Sequence, residues 1–134
     1  DNNFYITMNF ENNVFYIFDS KTCNELENRP IAQIKYIPNL LNDKQMFIRR
    51  LEFINNDYSK KGIASLMLKC FEEFCKNNGF TSITGEFDPL HNVSPVVVEK
   101  FYRRNGYNIV NGKDNKPMIE KNILENKNDN ECLN

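Results

Sequence analysis

The 134-residue chain has no Trp, one His, five Gly and five Pro, and its charges nearly cancel, 17 Lys+Arg against 18 Asp+Glu. The near-zero balance excludes a generally basic nucleic-acid binder and an acidic disordered tail protein. No apolar run approaches the ~18 residues of a membrane-spanning helix, so no membrane association is expected. The chain opens Asp1-Asn2-Asn3 with no initiator Met and no charged-then-apolar leader. It therefore reads as a trimmed chain or a fragment, with no targeting peptide. Metal chemistry is equally poorly provided for. The four cysteines, Cys23, Cys70, Cys75 and Cys132, form no C-x-x-C pair, and His91 has no second histidine to join it. No metal site is expected. Buried free thiols in a reducing cytoplasm are the plain reading.

What is present suits one domain. Hydrophobic residues make up 40% of the chain, and 11 Phe with 6 Tyr are enough to fill one core. The 23 Asn residues are dispersed rather than gathered into a tract, which points to a biased genome rather than a prion-like segment. The folded domain is expected over residues 1–124. Residues 125–134 (ENKNDNECLN) read as a loose polar tail.

The first half has strand character. Residues 4–10 (FYITMNF), 14–18, 30–37 and 45–54 (QMFIRRLEFI) are aromatic and β-branched runs separated by turn residues. No amphipathic helix precedes residue 58. The period then changes: Ile63, Leu66, Met67, Cys70, Phe71, Phe74 and Cys75 form the stripe of an α-helix, and Asn77-Asn78-Gly79 stops it. Residues 80–87 (FTSITGEF) make a strand. Ser94-Pro95 then gives an N-cap and first position for a second helix, which Gly106 ends. Residues 107–110 and 117–124 form a hairpin across 111–115. The order β-β-β-β-α-β-α-β-β predicts an α/β domain with one β-α-β unit around residues 45–87.

The segment Lys60-Lys61-Gly62-Ile63-Ala64-Ser65 joins a strand to the start of the stronger helix. The first N–H groups of a helix lack internal partners and its dipole makes that end partly positive, so backbone amides can hold a pyrophosphate there. Gly62 lets the backbone approach an anion, and the two lysines add positive charge. The pattern is neither a Walker loop nor G-x-G-x-x-G. Taken alone, it is an ordinary strand-to-helix turn with solvated lysines.

A second segment changes the balance. Residues 58–66 (YSKKGIASL) resemble the cofactor-binding segment of the GCN5-related N-acetyltransferase (GNAT) family, [RQ]-x-x-G-x-[GA]. Phe101-Tyr102-Arg103-Arg104-Asn105-Gly106-Tyr107 is similar to that family's F-Y-x-x-x-G-[FY], 40 residues downstream. The resemblance covers residues 45–124, and the earlier strands fit only loosely. Ser59 departs from the family's Arg or Gln, and Pro95 and Val98 from its usual Asn and Ala. The two helices that normally follow the first strand leave no trace, so the acceptor site is expected to be more open or completed by a partner subunit, a homodimer included.

The resemblance implies a mixed, mostly antiparallel sheet with a β-α-β cofactor unit and no front helices. It also implies a cytoplasmic enzyme transferring an acetyl group from acetyl-CoA to a primary amine by direct attack. Ser59, Lys60, Lys61, Gly62, Ile63, Ala64 and Ser65 would take the pyrophosphate. The backbone of Phe53 and Ile54 would pair with the pantetheine arm and polarise the thioester carbonyl. Phe101 and Arg104 join the cofactor-binding set, with Arg103 or Arg104 meeting the 3′-phosphate. Tyr102 takes the general-acid position, although its place on the apolar face of its helix also suits a core aromatic. Glu52 is the candidate base and Glu86 a second one, and both read equally as solvated face residues. Two other readings stand beside this one: a CoA-binding module without turnover, and an interaction domain that binds no cofactor.

Overall fold

The computed structural model describes residues 4–9, 12–19, 30–53, 62–87 and 94–124. Seven strands form one sheet: β1 (Phe4–Asn9), β2 (Val14–Asp19), β3 (Ala32–Pro38), β4 (Gln45–Phe53), β5 (Ser82–Glu86), β6 (Asn108–Asn111) and β7 (Pro117–Asn122). Their spatial order is β1-β2-β3-β4-β5-β7-β6. Only β4 and β5 run parallel, joined by helix α1 (Ile63–Asn77), and helix α2 (Pro95–Arg104) connects β5 to β6. The anticipated β-α-β unit and mostly antiparallel sheet are both present. The pairing Asn9↔Val14 leaves four residues between β1 and β2.

Boundaries shift slightly from the sequence reading. Strand β3 begins at Ala32 rather than Pro30, and β5 spans Ser82–Glu86 rather than residues 80–87. A 3-10 turn at Lys113–Asn115 lies within the last hairpin. Position 10, Cys23, Cys132, His91 and the tail 125–134 lie outside the described residues.

Strand alternation sends Phe15, Ile34, Tyr36, Met46, Ile48, Ile83 and Ile119 into one core, which also receives Met67, Leu68, Phe71 and Cys75 of α1 and Val98 and Tyr102 of α2. Both helices therefore feed the same layer. Phe71 is at its centre, with ring centroids 5.5 Å from Phe15 and 5.3 Å from Tyr36. Cys75 is buried and free, while Cys70 is free and half-buried.

The two helices end alike. Gly79 N–H donates to the Lys76 carbonyl and Phe80 N–H to that of Cys75; Gly106 N–H donates to Arg103 and Tyr107 N–H to Tyr102. Each is the paired bonding of a Schellman motif, with Gly79 (φ 88) and Gly106 (φ 89) in the left-handed region. The second motif brings Tyr107 edge-on to Tyr102 at 5.6 Å. Tyr107 then donates its phenolic proton to Glu72 of α1 at 2.8 Å, and Lys121 of β7 bridges Glu72 (2.9 Å) and the Asn105 carbonyl (3.0 Å). Helix α2 starts on a Ser94 side-chain cap to Val97 N–H, with Pro95 in the first turn, as the sequence implies.

Three outcomes follow from this packing. A Cβ on Gly85 would lie 2.8 Å from the Ile48 carbonyl oxygen and 3.3 Å from Ile119. Gly85→Ala should therefore cost about 1–3 kcal/mol, measured by urea unfolding. The Tyr107 phenol is pushed well above its ordinary 10.0, first by burial and then by the Glu72 carboxylate; burial also raises Tyr36 and Cys75. The folded chain keeps these protons where the unfolded chain has begun to lose them, so stability should decline as pH climbs through about 9 to 11. Tyr107→Phe should lower stability by about 1.5–3 kcal/mol near pH 7, through the lost hydrogen bond to a charged group. It should also make the alkaline decline shallower, which unfolding midpoints at about pH 8 and about pH 11 would show.

Candidate functional site

Strand β4 keeps company with β5 for only part of its length. Their parallel register runs from Gln45↔Ser82 to Ile48↔Gly85 and stops, although β4 continues to Phe53 and β5 to Glu86. Beyond that point β4 is held by β3 alone, through Arg50↔Lys35, Leu51↔Ile34, Glu52↔Gln33 and Phe53↔Ala32. Lys35 faces Arg50 while Tyr36 faces Ile48, so Arg49 is an extra residue, a β-bulge at the parting point. A strand released from one neighbour presents unpaired backbone donors and acceptors along that edge. Phe53 lies on the released stretch, and Ile54 lies outside the described residues.

The start of α1 supplies the second element. In a β-α-β crossover the N-terminus of the helix lies toward the C-terminal end of the first strand, which here is the released end of β4. Gly62 is the N-cap, in the left-handed conformation (φ 73), and no side chain among the described residues caps the helix. The first turn holds no acidic residue. Leu66 N–H is the first to reach an intrahelical carbonyl, that of Gly62. The preceding amides of Ile63, Ala64 and Ser65 are left at the positive end of the dipole, where an anion is favoured. Ile63 itself is buried and anchors the turn. The Ser65 hydroxyl accepts from Asn105 Nδ2 at 3.1 Å, which ties the start of α1 to the end of α2 and leaves the Ser65 proton available to donate. Ser59, Lys60 and Lys61 lie outside the described residues.

Tyr102 is 6% exposed and set among aromatic rings: Phe101 at 5.2 Å, Tyr107 at 5.6 Å and Phe87, just past β5, at 6.5 Å. The Phe87 contact puts the ring beside the end of the strand from which β4 parts. The two arginines of α2 are distinguished by their partners. Arg103 is paired with Glu99 at 2.8 Å, whereas Arg104 is exposed with no ion-pair partner among the described residues. Phe101 is half-buried against the core.

The two carboxylates differ as well. Glu52 is part-buried, accepts from Gln33 Nε2 at 2.6 Å and has Arg50 Nη1 3.8 Å away. Glu86 is exposed and, with Lys35, Phe47, Arg49 and Arg50, lines a cleft of about 400 Å³ on the sheet face away from the helices. Lys35 and Arg49 were not anticipated as site residues. The sequence does carry a signal for the bulge: buried residues of β4 step from Met46 to Ile48 to Leu51, and the change from two to three breaks strand alternation. Among the described residues no cluster of three His, Cys, Asp or Glu could hold a metal, and no helix is long and apolar enough to cross a membrane.

No family model and no curated protein matches the sequence. Solved structures do. A presumed N-acetyltransferase from Lactobacillus plantarum is 22% identical with a TM-score of 0.62, over 83% of this chain and 68% of that one. The PaiA N-acetyltransferase of Thermoplasma acidophilum, solved with coenzyme A, is 18% identical with a TM-score of 0.60, over 81% of this chain and 59% of that one. The GNAT-family N-acetyltransferase YhbS of Escherichia coli, also solved with CoA, is 11% identical with a TM-score of 0.60, over 84% and 59%. This chain thus spans well under the full length of the structures it matches. Its fold is that of the GNAT N-acetyltransferases.

Proposed function

We propose that this chain binds acetyl-CoA and transfers the acetyl group to a primary amine. The observation that carries the reading is the convergence of the released edge of β4 and the uncapped, acid-free start of α1 on one end of a parallel strand pair. Similar folds solved with CoA support it. In this reading the amides of residues 62–65, with Lys60 and Lys61, hold the pyrophosphate, and Ser59 takes the place of the family's larger side chain. Arg104 is the arginine of α2 left to meet a further phosphate, since Arg103 is engaged by Glu99. The backbone of Phe53 and Ile54 pairs with the pantetheine arm and donates to the thioester oxygen as charge develops there.

The amine attacks the thioester carbon in a ternary complex, so that a C–N bond forms as the C–S bond breaks. Tyr102 gives its proton to the departing thiolate as general acid. The incoming ammonium loses a proton to water or to a carboxylate, Glu52 being the candidate on β4. Burial of Tyr102 among three rings favours a second reading, CoA binding without turnover, in which that ring only packs.

Acetyl-CoA at ~100 times its Kd should add about 2.7 kcal/mol and raise the unfolding midpoint by several degrees, with adenosine diphosphate as control. A Cβ at Gly62 meets nothing within 4 Å, so Gly62→Glu pays only about 1–2 kcal/mol of left-handed strain while setting a carboxylate against the anion. It should abolish the shift; no shift in the parent protein at millimolar acetyl-CoA would rule the cofactor out. Tyr102→Phe separates the two readings. An enzyme should lose roughly 10²-fold in kcat with the acetyl-CoA shift intact, measured by thiol release, whereas a binding module shows the shift and releases no thiol in either form.

A further inference from the structure

The sheet face opposite the helices carries a charged cleft. Alternation along β3, β4 and β5 presents Lys35, Phe47, Arg49, Arg50 and Glu86 there, and these five line the cleft of about 400 Å³. Their charges are not equivalent. Arg50 leans on Glu52, whose other oxygen accepts from Gln33. Lys35, Arg49 and Glu86 have no ion-pair partner among the described residues. Scattered unpaired charges are ordinary on a surface. Here two free cations and one free carboxylate share a single concavity with an aromatic wall, Phe47. Arg49 is the bulge residue, next after the last β4–β5 pair, and Glu86 follows Gly85 on the opposite strand. The cleft therefore opens at the point where the strands part.

We infer that the acceptor is a small amine that also bears carboxylate, an amino acid with an acidic side chain fitting best, and that Lys35 and Arg49 hold its carboxylates while Glu86 faces its ammonium. The inference rests on the acetyltransferase reading for the reaction, and on the cleft alone for the chemical class. Two cations and one anion complement a ligand with two negative charges and one positive, and charge-assisted bonds to carboxylate are the strong ones. A polyamine or an aminoglycoside sets additional ammonium groups against Lys35 and Arg49 and is rejected by like charge. Transfer balances as acetyl-CoA and the ammonium form giving an N-acetylamino acid, CoA thiol and one proton. Of the two protons the nitrogen loses, one ends on sulfur and the other in solvent.

The test is calorimetric titration of L-glutamate and of putrescine into the full chain, with and without CoA, repeated on Arg49→Glu and Lys35→Glu. Both positions are exposed, and unfolding midpoints check that the variants fold. Glutamate should bind and putrescine should not, with Kd for glutamate rising tenfold or more in each variant. In turnover, KM for glutamate should rise by a similar factor in the variants. Glutamate binding to neither form, binding untouched by both variants, or putrescine binding as well as glutamate would each overturn the assignment. Failure of the acetyl-CoA shift alongside charge-dependent glutamate binding would sink the acetyltransferase reading and leave the cleft. An acetyl-CoA shift with putrescine as the better substrate would do the reverse.

Discussion

The parting of β4 from β5 is the constraint on which the other features depend. Parallel strands gain by pairing along their whole length, yet these two stop at Ile48↔Gly85 while both continue. Gly85 lies so close to the Ile48 carbonyl that only a residue without a Cβ fits, and one residue later β4 takes up the Arg49 bulge. The bulge turns β4 toward β3, which keeps Leu51 in the core, and the released edge is left open to a ligand. The crossover helix must begin near that edge, because it starts from the C-terminal end of the same strand. An open strand edge and a bare helix N-terminus are each commonplace. Their meeting at one end of one strand pair is what the proposed cofactor site is built on.

Holding that mouth in shape falls to the helix ends rather than to the sheet. The Schellman motif closing α2 places Tyr107 against Tyr102, and Tyr107 with Lys121 grips Glu72 in the middle of α1. Asn105, the C-cap of α2, reaches Ser65 in the first turn of α1. The two helices are thereby fixed to each other at two levels, so the amides of α1 and the phenol of α2 keep a set relation. The Lys121–Glu72 pair is only part-exposed and shares its partners with Tyr107 and Asn105, so it acts as a member of a network rather than as an isolated surface pair.

Much of this was readable in the residues, and the limits have physical causes. Helix α1 announced itself because one apolar stripe at a 3.6 period is a local signal, and its stop at Gly79 needed only a left-handed residue. Ser94-Pro95 marked α2 equally locally. The insertion of β7 between β5 and β6 was not legible, since pairing across dozens of residues leaves no mark in either strand alone. The F-Y pair and the glycine segment pointed to the acyl-CoA transferase fold, but placed the likeness at residues 45–124. The structural matches cover 81–85% of the chain and so reach into the early strands. Fold survives there at identities too low for sequence to register, because a half-buried strand asks for alternation and β-branched bulk rather than for particular residues. Lys35 and Arg49 escaped notice for a related reason: each is an unremarkable surface cation in its own strand, and only the bulge and the register bring them together.

The one-sided helical layer completes the picture. A largely antiparallel sheet can face water on one side, so the charged face needs no cover to be stable. Cover would in fact be costly: a helix laid over Lys35, Arg49 and Glu86 would have to desolvate three charges with no partners of their own among the described residues. On the same face the Tyr16 and Phe18 rings of β2 lie 6.1 Å apart, tilted to each other, while Phe47 lines the cleft. The charges instead collect where β4 and β5 separate. Under the proposed acceptor site, a small charged ligand meets an acyl donor through the gap between the strands, and these charges are its partners.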